Sequence, residues 1–314
     1  MTVWNGARLV GLLPLMLSRE KRYGLSVRRL GALANDHSPR VDLLLAPDVK
    51  GVMEAIWRHI VATRREWDIF ELPRLLSKSP TLECLSEQAD ADGIRFGLWQ
   101  AEVSPFIDLR TNWNRYLADR SKGFRRDIRR KRWRLKHLGH SALEIVADPY
   151  EMPAALEAAC AIEADGWKGQ RGSAMQSIAN VLQFYKQMVE GMSKRGMLRL
   201  HFLTLDGERI AFDLSIEVGK SIYSLKSGFR DAQAAASPGL MLLYLIVQHY
   251  MAHGKQEIDL LGEEDHFKRH WTRTARSHHW FISCSGSLRG RIIRLIKFGI
   301  VPGLKKIRAR LTST

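Results

Sequence analysis

The residues best suited to chemistry lie around Ser237, in "LKSGFRDAQAAASPGLMLL" (225–243). Ser237 is a good N-cap residue, Pro238 suits the first helical position, and the apolar run after it reads as a helix that stops at Gly254. The start of a helix presents unpaired N–H groups and the positive end of the helix dipole, which together make an anion site. Gly239 lets a bulky anion come close, and Lys226 and Arg230 stand just upstream. A diphosphate would fit there; an ordinary capped core helix would produce the same residues.

Proton transfer needs a carboxylate or similar group on a rigid element. Asp213 in "IAFDLSI", Glu217 farther along the same strand face, and Asp259 in "EIDLL" are the candidates. Asp213 and Glu217 could equally be a solvated strand face. Asp259 interrupts an apolar strand, where a carboxylate is costly to bury without a partner, so a polar role is expected. His266 and His270 are four apart and could share a helix face, but Phe267 follows His266 where a zinc hydrolase motif has Glu, so no metal is expected. No G-x-S-x-G nucleophile elbow occurs. The loop "GWKGQRG", with Lys168 and Arg171 among three glycines, could wrap a phosphate or simply connect two helices.

These residues need elements to hold them. The segment 198–229 reads as three antiparallel strands joined at Asp206-Gly207 and Gly219-Lys220, followed by the Ser237 helix and the strand "QEIDLLG". The first half runs a similar course: a hairpin at Asn5-Gly6, further strands, a helix from Asp48 (as N-cap) to about Arg65 with Val52, Ile56 and Ile60 on one stripe, then the strand "WDIFELP". "EWDIFELP" and "QEIDLLGE" thus occupy corresponding places, which reads as a structural duplication. Between the halves come a basic helix, a helix from about Met152 to Asp165, the "GWKGQRG" loop, and a helix from about Ala174 to Arg195.

Three stretches, taken in order, resemble a known family. They are "SPFIDLRTNWNRYLADRSKGFRRDIRRKRWRLKHLG", "EADGWKGQRG", and "LKSGFRDAQAAASPGLMLL" with "IDLLGEEDHFKRHW". They are similar to the S-P-x-x-D-L…F-R-R-x-x-R-R, E-x-x-x-W-K-G-x-x-G and K-x-G-(F/Y)…S-P-G…D-x-L-G…K-x-x-W elements of the CelD/BcsL-like acetyltransferases. That group belongs to the GNAT superfamily and is related to the Fem-type aminoacyl transferases. The resemblance covers roughly residues 30 to 285 and implies an α+β (mixed α/β) fold of tandem GNAT-like lobes, each a mostly antiparallel twisted sheet flanked by helices. Members have several dozen more residues before the "L-V-G-L-L-P-L" strand, so the N-terminal lobe is expected to be shortened. It also implies acetyl-CoA as co-substrate, its pyrophosphate at Ser237, Pro238, Gly239 and Leu240 with Lys226 and Arg230 nearby. Asp213, Asp259 and Lys268 become catalytic candidates, and Trp167, Lys168 and Trp271 substrate-binding ones. Trp271 could equally be a core tryptophan, and Lys268 a helix cap. The superfamily's Q/R-x-x-G-x-G/A loop is missing from this sequence.

Charge is concentrated. Of the formal net +16, residues 120–136 hold ten basic side chains against Asp127, and residues 289–310 hold eight with no acid; the rest is close to neutral. On a helix, Phe124, Ile128, Leu135 and Leu138 make one stripe and the arginines spread over the remainder, a docked helix with a cationic exterior. No nucleic-acid recognition motif accompanies it. The C-terminal segment places Leu288, Ile292, Leu295 and Ile296 opposite Arg291, Arg294 and Lys297, a pattern suited to an anionic membrane surface. Cys84, Cys160 and Cys284 lie far apart, which fits a reducing cytoplasm.

The expected organisation is an N-terminal lobe over 1–110, a basic connecting helix over 111–140, an acyltransferase lobe over 141–285 and a basic tail over 286–314. The expected activity is N- or O-acetyl transfer from acetyl-CoA to an amino sugar or polysaccharide precursor, in a cytoplasmic protein that could touch the inner membrane face. Two alternatives stand beside it: a Fem-type transferase using aminoacyl-tRNA, and a non-catalytic membrane-surface or nucleic-acid-binding adaptor.

Overall fold

A computed structural model describes residues 1–301, so part of the basic tail lies outside the described residues. The chain forms two compact units. One holds Met1–Val103 together with the described residues from Arg276 to Val301, and the other holds Ser104–Ala275. The basic helix therefore belongs to the second unit, and the last strand to the first.

The first unit begins with strands β1 (Thr2–Asn5) and β2 (Arg8–Leu12). Their turn is Gly6-Ala7, one residue later than expected, with Gly6 at φ 60°. Strands β3 (Leu15–Arg22) and β4 (Leu25–Ala32) form a hairpin through Tyr23 and Gly24, both at positive φ. Short β5 (Leu44–Leu45) completes a small sheet in the order β1-β2-β5. Helix α1 (Val52–Ala62) buries Val52, Ile56, Trp57 and Ile60, the expected stripe. Its N-cap is Gly51 rather than Asp48, because the Asp48 carboxylate is engaged by Arg8 at 2.7 Å. After α1 come β6 (Ile69–Leu76), α2 (Pro80–Ala91) and β7 (Phe96–Asp108), whose residues from Ser104 belong to the second unit. β4 and β6 are parallel, with α1 as their crossover.

Glu71 of β6 is buried, with Arg22 at 3.2 Å and Arg29 at 3.6 Å from its carboxylate. A carboxylate this deep would be costly to bury without such cationic partners.

In the second unit, α3 (Trp113–Ala118) precedes the basic helix α4 (Lys122–Leu138). α4 buries Phe124, Ile128 and Leu135 as its periodicity requires, but Leu138 is exposed, since the helix ends there and Gly139 turns the chain away. Then follow β8 (Ser141–Val146), α5 (Met152–Asp165), the single turn α6 (Trp167–Gln170) and α7 (Ala179–Ser193). α7 starts later than the sequence suggests because Met175–Ser177 form a 3-10 turn first. Strands β9 (Leu198–Leu205), β10 (Glu208–Val218) and β11 (Ser221–Phe229) are antiparallel, joined at Asp206-Gly207 and Gly219-Lys220 as expected. Helix α8 (Pro238–Ala252), strand β12 (Glu257–Asp259) and helix α9 (His266–Trp271) complete the unit. Its strands lie in the order β7-β12-β11-β10-β9-β8, antiparallel except for β11 with β12. α5 and α7 pack on one face around Phe202, Phe212 and Leu214; α8 and α4 pack on the other around Leu203, Ala211 and Ile222.

The chain returns to the first unit in β13 (Ala275–Cys284), antiparallel to β6, and ends its described part with α10 (Leu288–Leu295) and a π-helical turn. On α10, Leu288 and Leu295 are exposed and Ile293 is buried. No helix among the described residues is long and apolar enough to cross a membrane.

The succession hairpin, helix, parallel strand occurs twice. β3-β4-α1-β6 pairs Arg29, Leu30 and Gly31 with Ile69, Phe70 and Glu71. β10-β11-α8-β12 pairs Ser221, Ile222 and Tyr223 with Glu257, Ile258 and Asp259. Both crossovers pack a helix on the sheet in the way short βαβ units require.

Candidate active site

Parallel strands β11 and β12 stay together for only three residue pairs, up to Tyr223 and Asp259, while β11 runs on to Phe229. Past that point the edge of β11 is no longer bonded to β12. The register of β11 with β10 slips there too: Leu214 faces Lys226 but Ser215 faces Ser224, so Leu225 is an extra, unpaired residue. A bulge of this kind reverses the alternation of side chains. Ser224 consequently points to the α8 face and Lys226 to the α5 face, although they are two residues apart.

On the α8 face lies a buried polar network. The Asp213 carboxylate accepts from the hydroxyls of Ser215 and Ser224. His201, directly across β9, has Nδ1 at 3.2 Å from the Asp213 carbonyl and 3.7 Å from its carboxylate, and Nε2 at 2.7 Å from the Tyr250 hydroxyl of α8. Burial pushes the Tyr250 hydroxyl well above its ordinary pKa. Glu217 lies farther along, bound by Lys255 and by Arg199 at 2.9 Å. Burial raises its pKa, but the Lys255 hydrogen bond and the charge of Arg199 more than offset this, so it ends below the usual carboxylate range.

On the α5 face the buried Glu163 gathers two lysines. Its Oε1 is 3.1 Å from Lys168 Nζ and 3.3 Å from Lys226 Nζ, and its Oε2 accepts from the Met175 amide at 2.7 Å. Burial lowers the Lys226 pKa, with Glu163 opposing and Lys168 reinforcing. Lys168 also donates to the Ser227 carbonyl at 2.7 Å. Gly228 explains its own place: a Cβ there would lie 2.7 Å from the Phe212 ring. Gln170 donates to Asp231 at 2.9 Å, and Arg230 lies 3.6 Å from Asp165. The "EADGWKGQRG" and "LKSGF" stretches thus meet in one place. Trp167 opens α6; its side chain lies outside what is described.

The start of α8 is unusual. Ser237 holds the N-cap place but has a left-handed backbone (φ 54°), and its side chain caps nothing. The expected capping hydroxyl is therefore absent, and the amides at the helix start are left to other partners. Pro238 is buried, whereas Ser237, Gly239 and Leu240 are half-buried. A left-handed non-glycine residue costs about 1–2 kcal/mol, and such strain gathers at functional sites.

Asp259 and Lys268 act on one residue. Asp259, fully buried, accepts from the Ser104 hydroxyl at 3.1 Å and the Leu261 amide at 2.9 Å. Lys268 Nζ donates to the Leu261 carbonyl at 2.5 Å and to the Glu263 carbonyl at 2.9 Å. Leu261, at φ 48°, is thereby clamped on both sides of a strained backbone immediately after β12. Trp271 departs from its expected role. It is fully buried, edge-on to Phe124 at 5.1 Å, with its carbonyl accepting from Tyr116 and Arg120; that packing leaves no indole face for a sugar ring.

The sequence residues therefore form four groups: Asp213 on the α8 face, Lys168 and Lys226 on the α5 face, Asp259 with Lys268 behind β12, and Ser237, Pro238, Gly239 and Leu240 at the start of α8; Lys226, expected beside that helix start, pairs with Glu163 on the α5 face. The structure adds His201, Ser224, Tyr250, Leu261 and Glu163 to these groups as bonded neighbours that the sequence does not single out. Glu163, a lone acid on the apolar face of α5, was the one with a readable signal. His266 and His270 lie with ring centroids 4.4 Å apart, and among the described residues no group of three or more metal-ligating side chains occurs.

Residues 122–269 match the family profile described as an acetyltransferase (GNAT) domain. No curated protein matches the chain. Solved structures do. FemX is 11% identical with a TM-score of 0.60, covering 94% of this chain and 89% of that one. L-PGS from Bacillus licheniformis is 13% identical with a TM-score of 0.54, covering 87% and 85%. Both likenesses concern the fold alone. Residues 122–269 are similar to a GNAT acetyltransferase domain, and this chain is an acyltransferase of mixed α/β fold.

Proposed function

We propose that the second unit transfers an acetyl group from acetyl-CoA to an amine or hydroxyl of an amino sugar or polysaccharide precursor. One observation carries this reading: an uncapped helix start, half-exposed at Gly239 and Leu240, beside the stretch of β11 that β12 has left. Helix-start amides suit the coenzyme's diphosphate, with Arg230 just upstream, and the parting strands suit its pantetheine arm.

In this reading the acceptor attacks the thioester carbonyl directly. Its proton passes through the Ser224 hydroxyl to Asp213, the C–S bond breaks, and the thiolate leaves and takes up a proton. His201 and Tyr250 hold Asp213 from behind. Asp259 and Lys268 serve as positioning residues through Leu261. Lys168 and Lys226 are offered to the acceptor on the α5 side.

Isothermal titration of the full chain with acetyl-CoA tests the proposal. Saturable binding is expected, weakened more than about tenfold in Gly239→Asp, which sets a carboxylate against the amides. A folded wild-type protein that does not bind, or a variant that binds equally well, would defeat it.

The exposed arginines of α4 favour a second reading, with aminoacyl-tRNA as donor. Binding of bulk tRNA that falls steeply with salt, without binding of acetyl-CoA, would replace the first reading by this one.

A further inference from the structure

Away from the start of α8, its middle turns and α4 enclose an open groove of about 450 Å³. Arg129, Arg132 and Lys136 of α4 line it, with Trp133 between them. Its floor is apolar, from Leu135 on α4 and Met241 and Tyr244 on α8, and Gln248 adds one neutral polar group. No described residue that lines it is acidic. The nearest acid in sequence, Asp127, is occupied by Arg130 at 2.6 Å and Lys131 at 2.8 Å. Arg132 is held over the Tyr244 ring at 5.2 Å, which fixes one cation at the wall. Trp133 is 61% exposed, and its other side is taken by His137, with ring centroids 3.8 Å apart.

An apolar floor, three cations and one free aromatic face define the ligand by chemistry. The cations need an anion, since their charge is not balanced within the groove. The volume is that of a small-ligand site rather than a macromolecular interface. A single platform suits one ring; single-stranded nucleic acid is held by several platforms that stack successive bases. A pyranose presents a flat C–H face to an indole and can carry a carboxylate or phosphate at its edge. We propose that the α4–α8 groove binds an anionic sugar, with its ring on Trp133 and its acidic group between Arg129, Arg132 and Lys136. The sugar could be free, as a sugar phosphate, or a uronic acid unit within a polysaccharide. The inference does not depend on the donor, because binding here is measured without any acyl-CoA present.

The test is titration calorimetry of the full chain with four probes: glucose 1-phosphate, a galacturonate tetramer, neutral cellotetraose and an eight-nucleotide oligouridylate. Saturable binding of either acidic sugar is expected, the first pointing to a free phosphate and the second to a polysaccharide unit, with cellotetraose at least about tenfold weaker. Trp133→Ala and the pair Arg129→Ser/Arg132→Ser should each weaken it about tenfold, while Trp133→Phe, which keeps a ring, should largely retain it. All these side chains are exposed, so unchanged thermal unfolding is the control for folding. Absence of binding by both acidic sugars, equal binding of cellotetraose, tighter binding of the oligouridylate, or variants with unchanged affinity would each overturn the proposal.

Discussion

The two crossover helices begin alike and meet different neighbours. Each is preceded by a left-handed residue, Gly51 at φ 79° for α1 and Ser237 at φ 54° for α8, and neither has a side-chain cap. Around α1 the β1-β2-β5 sheet closes in: Val52, its first residue, is buried, and a Cβ added to Gly11 of β2 would lie 2.4 Å from a Val52 methyl. Around α8 the first residue, Pro238, is buried as well, and Gly239 and Leu240 are half-buried like Met53 and Glu54 of α1. What differs is the neighbour: a Cβ added to Gly239 would lie 3.4 Å from the Phe229 ring of β11 rather than against a second sheet. The same local geometry thus meets a covering sheet in one unit and a strand of its own crossover in the other.

The acids that end the two parallel pairings differ as well. Glu71 sits among cations, while Asp259 accepts from a hydroxyl and an amide. Glu71→Gln should therefore have the largest effect. It leaves Arg22 and Arg29 facing a neutral group in the interior, and urea unfolding should show a loss of about 3 kcal/mol. A loss below about 1 kcal/mol would mean that the cluster is solvated and that the comparison fails. Gly11→Ala should cost about 1–3 kcal/mol by forcing β2 away from α1, and should leave acetyl-CoA affinity of the folded protein unchanged. A loss of affinity would show that the covered helix start also binds ligand. The smallest effects concern the left-handed residues. Ser237→Gly should stabilise and Gly51→Ser destabilise, each by about 1 kcal/mol, read as opposite shifts in the melting temperature. Shifts of the same sign would show that the two helix starts are not equivalent.

Much of the framework could be read from residue order. Asp206-Gly207 and Gly219-Lys220 demanded turns, and α5 runs from Met152 to Asp165 as its apolar spacing indicated, because local backbone preference and burial agree in these segments. Tertiary partners spoiled other readings. Asp48 has the right type to cap α1 but is held by Arg8 forty residues earlier. Trp271 has the right type for a sugar site but fills the core beside Phe124. The candidate site was legible as a set of residues and not as an arrangement. Nothing about Leu225 announces an unpaired position, so simple alternation would put Ser224 and Lys226 on one face. Likewise, the left-handed backbones of Ser237 and Leu261 are imposed by their surroundings on residue types that do not favour them.

That unpaired leucine has a practical side for anyone building hybrids of this protein. A β10 segment one residue longer between Leu214 and Ser215 would still read as a respectable strand and would give Leu225 a partner. It would also send the serine and the lysine of β11 to the same side, so that either Ser224 parts from Asp213 or Lys226 parts from Glu163. Chimeras should carry β10 and β11 together, because the mismatch between them sends the residues on either side of Leu225 to their separate faces.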